Sequence, residues 1–220
     1  RQHEEHQWPS EWYPFAYSAV PDPFTENLDA VLKRPDTDPL VVHTHTNTEY
    51  WQRHASLGHT DPRNGDDLDI PDNVRMYVIA SAQHGGANPG EGDFTQQLSN
   101  QMSNGPTLRA ALSLMDRWAT DGTPPPASRV PRRADNTLAY PEDVLANYPS
   151  IPGFNLPPSP SRLPKYDYGP DFDKGFITEH PPTPIAGQEY PLQLPVVDGD
   201  GNDIAGIRTP DIQAPVGTHT

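Results

Sequence analysis

The chain has 220 residues, no cysteine, 29 prolines and a formal net charge of −15. That length suits one domain or one and a half. The missing cysteines exclude disulfides, thiolate catalysis and cysteine metal sites, and the acidity argues against nucleic acid and anionic membrane surfaces as partners. No apolar run approaches the roughly 20 residues that span a bilayer, and no signal peptide is visible. A periplasmic or secreted setting is favoured only by the acidity and the lack of cysteine. The first residue is Arg1 rather than Met, which fits a processed product or a fragment. Only 33% of residues are hydrophobic, low for a self-contained domain, so a core is expected in the first 122 residues and not beyond.

Residues 1–25 are rich in aromatics and proline and lack a period. Trp8, Trp12, Tyr13, Phe15 and Tyr17 are too many rings for a disordered tail, so a packed loop or short lid is expected. "ENLDAVLKR", residues 26–34, predicts a short helix with Leu28, Val31 and Leu32 on one face, stopped by Pro35. Leu40 to Thr46 reads as a buried strand. Asn47 or Thr48 then caps a helix through "EYWQRHASLG", with Gly58 at its end. A turn-rich loop follows, and Val74 to Ala82 reads as a second strand running into Gln83-His84-Gly85-Gly86.

After a polar, glycine-rich loop, Pro106 opens the strongest helix. Leu108, Ala111, Leu112, Met115 and Trp118 or Ala119 make one apolar stripe, and Asp121-Gly122 ends it. Helix, strand, helix, strand, helix predicts an α/β fold with a mostly parallel sheet and covering helices over residues 26–122. Residues 123–220 carry prolines every few positions, which forbids helices of more than a few turns. The scattered tyrosines and phenylalanines predict an extended arm wrapped on the body. "LPVVDGDGNDIAGIR" predicts a hairpin turning at Gly199 to Asn202.

Ligand sites of open α/β sheets lie at the carboxyl ends of the strands. Glu49 follows the first expected strand and His84 the second. A carboxylate that orients a histidine, which in turn deprotonates a serine, is the acid–base arrangement of serine hydrolases. In α/β-hydrolases the acid precedes the histidine, as it does here. The plainer readings are a carboxylate at the positive end of a helix dipole and an ordinary loop histidine.

The runs "HTHTNTEYWQRHASLGHTDPRNGDDLDIPDNVRMYVIASAQHGG", "LSLMDRWATDGTPPPASRVPR" and "VVDGDGNDIAGIRTPDI" resemble the bacterial alpha/beta hydrolase domain family of the α/β-hydrolase superfamily. The resemblance covers nearly the whole chain. It implies that Glu49 is the acid and His84 the catalytic histidine. It also implies that this chain is a C-terminal portion, with the nucleophile elbow and oxyanion hole upstream. The sequence has no G-x-S-x-G, and its nearest serine, Ser56 in "HASLG", sits within an expected helix. The implied activity is carboxylic-ester hydrolysis when this portion is joined to the upstream portion carrying the nucleophile. The implied partner is a small-molecule ester, with no cofactor, and the chain alone is expected to be inactive. Tyr50, Trp51, Trp8 and Trp12 are candidate pocket or lid walls.

Two other classes compete. His43 and His45 lie two apart on the first strand and so face one side, a plausible divalent-metal pair with Glu49, His54 and His59 nearby. Against it, spacing brings round no third ligand, and two histidines lining a packed face explain the pattern. "DGDGND" begins like an EF-hand loop, but Asp203 stands where glycine is required and no glutamate closes it. A non-catalytic interaction module using the proline-rich arm as a polyproline II ligand is the third class.

Overall fold

The computed structural model describes residues 12–85 and 100–214. Its elements begin with two short strands, β1 (Val20–Pro21) and β2 (Leu28–Asp29), which pair antiparallel. Then come β3 (Val41–Thr46), α1 (Asn47–Gln52), a 3-10 turn at Ala55–Gly58 and β4 (Val74–Ile79). Helix α2 (Gly105–Asp121) follows, then β5 (Leu138–Ala139), α3 (Pro141–Ala146), β6 (Leu163–Asp167), β7 (Thr183–Tyr190), β8 (Leu194–Pro195) and α4 (Pro210–Gln213). Among the described residues the strands form four two-stranded sheets, and one of them, β3–β4, is parallel. The expected parallel sheet is thus present as this pair, not as an extended sheet.

β3 and β4 run in register from Val41 beside Val74 to Thr46 beside Ile79. Alternation along β4 sends Val74, Met76 and Val78 to one face. There they meet Tyr50, Ala55, Val130, Leu138, Val144 and Leu194 in one buried cluster. Each valine, leucine or methionine among them contributes roughly 1.5–3 kcal/mol by leaving water. Three of these six partners come from residues 130–144 and one from β8, so the proline-rich part supplies two thirds of what covers this face. On the other face the Arg75 guanidinium lies 5.1 Å from the Trp118 ring centroid, and Trp118 anchors α2. Covering both faces is what a parallel strand pair requires.

The far edge of β4 is paired too. Arg129 N–H donates to Met76 O (2.8 Å) and Val78 N–H to Arg129 O (3.0 Å). One turn higher, Ile207 N–H donates to Val78 O at 2.7 Å. Gly206 makes that approach possible: its φ is +90°, and a β-carbon would stand 2.6 Å from Val78 O. β3, by contrast, has no strand on its outer edge among the described residues.

Two expected elements differ. Residues 26–34 are not a helix. Leu28 and Val31 are 67% and 45% exposed, and of the expected face only Leu32 packs against the main core. The N-terminal segment takes the backbone instead: Asp29 N–H donates to the Tyr13 hydroxyl (2.7 Å) and Val31 N–H to Ala16 O (2.9 Å). The helix expected to run to Gly58 stops after Gln52. His54 takes a left-handed φ of 63°, and the chain resumes as the 3-10 turn. Helix α2 ends as expected on Gly122, in the left-handed conformation with φ 73°. Its stripe, however, leaves Leu112 72% and Leu108 41% exposed.

The prolines work locally as helix openers. Pro106, Pro141 and Pro210 each stand in the first turn of α2, α3 and α4, where no backbone donor is lost. The expected C-terminal turn forms at Asp198–Asn202, with Val197 bridged antiparallel to Asp203.

Candidate active site

Glu49 and His84 are brought together where the two parallel strands end. Glu49 is the third residue of α1, one turn past the end of β3. Its Oε2 accepts from the Thr46 backbone N–H (2.5 Å) and from the Thr46 hydroxyl (2.6 Å). This carboxylate therefore satisfies an amide that the helix start leaves open, as a capping box does. Its other oxygen, Oε1, bonds His84 Nδ1. One oxygen thus serves the helix start, as the plain reading has it, and the other holds the His84 ring.

His84 is fixed through its backbone. Its N–H donates to Thr48 Oγ1 (3.1 Å), and its carbonyl accepts from Asn104 Nδ2 (3.2 Å). The ring itself is 80% exposed, with Nε2 free of any partner among the described residues. Gly86, behind it, lies outside the described residues. Burial acts to raise the Glu49 carboxyl. The Thr46 bonds and the His84 imidazole outweigh that and hold its pKa below the ordinary value. Glu49 is thus anionic near neutrality and suited to hold an imidazole Nδ1–H.

A second carboxylate, which in the sequence stands out only as the residue that breaks the EF-hand pattern, underlies both. Asp203 is 1% exposed. It accepts from Asn47 Nδ2 on both oxygens (2.9 and 3.1 Å) and from the Ser81 N–H (2.6 Å). Burial pushes its carboxyl up to about 6, against the lowering pull of those bonds. Asp198, the residue that suggested calcium, instead accepts from the N–H groups of Asp200 and Asn202 (both 3.0 Å) and from Arg208 (2.9 Å).

The histidine pair faces the core. The His43 and His45 rings are 4.1 Å apart, and His43 Nδ1 shares a 3.0 Å hydrogen bond with the Tyr17 hydroxyl. Burial lowers His43, and with help from His43 it lowers His45 to about 3. Buried His59, which bonds the Tyr50 hydroxyl at 2.7 Å, is likewise lowered to about 3, chiefly by burial. Among the described residues no three His, Cys, Asp or Glu side chains are grouped to hold a metal ion.

The expected pocket walls separate. Tyr50 is fully buried in the main core, so it presents no surface to a ligand in this chain. Trp51 is half-buried against the same core. Trp12 packs edge-on to Tyr168 and Phe172, with Lys165 Nζ 5.5 Å from its centroid. Trp8 lies outside the described residues. Ser56 is 1% exposed, and its Oγ accepts from Gln193 N–H (3.1 Å), which makes it a packing residue.

A model of the family described as alpha/beta hydrolase domain matches residues 9–220. No match was found among curated proteins or solved structures. An acid after one parallel strand, a histidine after the next and a family match over almost every residue lead to one conclusion: the chain belongs to the alpha/beta hydrolase domain family.

Proposed function

We propose that this chain is the acid–histidine portion of a serine-type hydrolase that cleaves carboxylic esters of small molecules, its nucleophile and oxyanion hole being supplied by an upstream portion of the same protein. The observation that carries the reading is the Glu49–His84 bond at the carboxyl ends of adjacent parallel strands. In this reading His84 Nε2 takes the proton of the serine hydroxyl as it attacks the ester carbonyl, and later returns it to the leaving alkoxide. Glu49 keeps the ring in the Nδ1–H tautomer and stabilises the imidazolium formed in between. No cofactor is called for.

Kinetics of the complete protein on p-nitrophenyl acetate test this. His84→Ala is expected to remove nearly all activity. Glu49→Gln is expected to cut kcat deeply with little change in KM, because the pair acts on the transition state. Carboxylate loss in a serine protease costs about 10⁴ in kcat, which sets the scale. His43→Ala, His45→Ala and a chelator should leave the chemistry in place. Activity that survives His84→Ala but vanishes with chelator or in the His43 and His45 variants would overturn the reading in favour of a metal centre.

A further inference from the structure

We propose that Asp203 is a positioning residue that sets the Glu49–His84 geometry by tying together the two strand ends that lead to them; this rests on the acid–histidine reading above. Asn47, the first residue of α1, lies two positions before Glu49. Ser81 lies three before His84. Asp203 holds both, through Asn47 Nδ2 and the Ser81 N–H. The clamp is reciprocal, because the Asp203 N–H donates to Ser81 Oγ at 2.7 Å. Ser81 itself is in the left-handed region, with φ 54°, where a non-glycine residue is uncommon and persists only if its surroundings dictate it. Here they do: its N–H and Oγ are taken by Asp203 and its carbonyl by Asn100.

The chemistry explains why the residue is aspartate. Asn47 Nδ2 reaches both carboxylate oxygens while the Ser81 N–H reaches one, so two acceptor atoms are in use. An asparagine offers one acceptor and would set its own NH₂ against that of Asn47. A buried carboxylate is costly to desolvate, and a packed apolar side chain would fill the space at lower cost. What the carboxylate adds is a fixed relation between two loops. The clamp is itself anchored: Arg208 donates to Asp203 O (2.6 Å), Asp198 Oδ2 (2.9 Å) and Ile212 O (3.0 Å).

The test is steady-state kinetics of the complete protein on p-nitrophenyl acetate, with labelling by a fluorophosphonate and the melting temperature measured in parallel. Asp203→Asn is expected to lower kcat about 10- to 100-fold, the range for losing a group that orients a functional side chain, with KM nearly unchanged. Asn47→Asp combined with Asp203→Asn exchanges donor and acceptor across the same bond, and should restore most of kcat. Asn47→Ala breaks the bond from the other side and serves if Asp203→Asn does not fold. Wild-type kcat in Asp203→Asn or Asn47→Ala, with His84→Ala inactive, overturns the positioning role. So does an exchange variant that regains stability without regaining kcat. Labelling that is absent in the wild type, or undiminished in His84→Ala, overturns the acid–histidine reading instead.

Discussion

At the scale of single residues, the chain commits several titratable groups to burial, and their signs can be followed. His45 and His59 titrate near 3 in the folded protein because burial disfavours the imidazolium. An exposed histidine titrates near ~6.5. Between those values the unfolded chain binds protons that the folded chain does not. Stability from these two residues is therefore present above pH ~6.5 and lost as the pH falls towards 3, at up to about 1.4 kcal/mol per pH unit each. Asp203 works the other way. Its folded carboxyl, raised to about 6 by burial and flanked by Arg208 and Asp198, keeps a proton that the unfolded carboxyl has lost. From pH 6 down to ~4 it offsets about one histidine. Urea midpoints of the complete protein should fall between pH 7 and 5, with a shallower fall in His59→Gln. An equal slope in that variant would show that His59 is not the neutral, buried group described. Glu49 and His84 were legible in the sequence because each is the first polar side chain capable of acid–base work after an apolar run. Asp203 was not, since it acts on Ser81 from 122 positions away and its local setting, "DGDGND", reads as a turn.

At the scale of elements, periodicity served where packing and local pattern agree. β3, β4 and α2 are signalled by β-branched runs and a helical stripe, and the end of α2 by Gly122, whereas the cap of α1 falls on Thr46 rather than on Asn47 or Thr48, because Thr46 and Glu49 form the capping box. It failed at residues 26–34, where Leu28, Val31 and Leu32 have helical spacing but Tyr13 and Ala16 hold the backbone extended. No local pattern reports a partner that far up the chain. The segment from Val196 to Arg208 shows the same dependence. Gly206 lets it lie against Val78, and that contact delivers Asp203 to the strand ends. Gly206→Ala puts a β-carbon 2.6 Å from a carbonyl oxygen at a φ that alanine disfavours. The cost is expected to be about 1–3 kcal/mol of strain. Because the segment carries the clamp, kcat should fall along with the denaturation midpoint. Unchanged stability in Gly206→Ala would mean that the segment can lift off β4 freely, and that Asp203 is held by something else.

At the scale of the whole molecule, the core is closed on β4 and, among the described residues, open on β3. β4 is paired on both edges, and the β3–β4 pair is covered on both faces. Along β3, Val41 N–H donates to Asn73 O and Asn47 N–H to Ala82 O, so the odd-numbered amides face β4. Alternation turns the Val42 and Thr44 amides to the outer edge. An unpaired strand edge is a template for a further strand. Beside it α2 shows Leu108 and Leu112 to solvent, an apolar stripe with no cover among the described residues. On the proposal that an upstream portion carries the nucleophile, these two features are where it would extend the sheet past β3. Composition alone could not reveal the core: 29 prolines suggest a chain poor in core, whereas Val130, Leu138, Val144 and Leu194 complete one. Residues 1–220 expressed alone are therefore expected to self-associate through the β3 edge. Val42→Pro removes one of the two edge amides without touching a β4 bond, and should shift the isolated chain towards monomer in sedimentation. In the complete protein, where an upstream strand would use that amide, the same change should lower stability by about 0.5–1.5 kcal/mol, the net worth of one hydrogen bond. A wild-type isolated chain that stays monomeric and unfolds cooperatively would show that the β3 edge needs no partner strand.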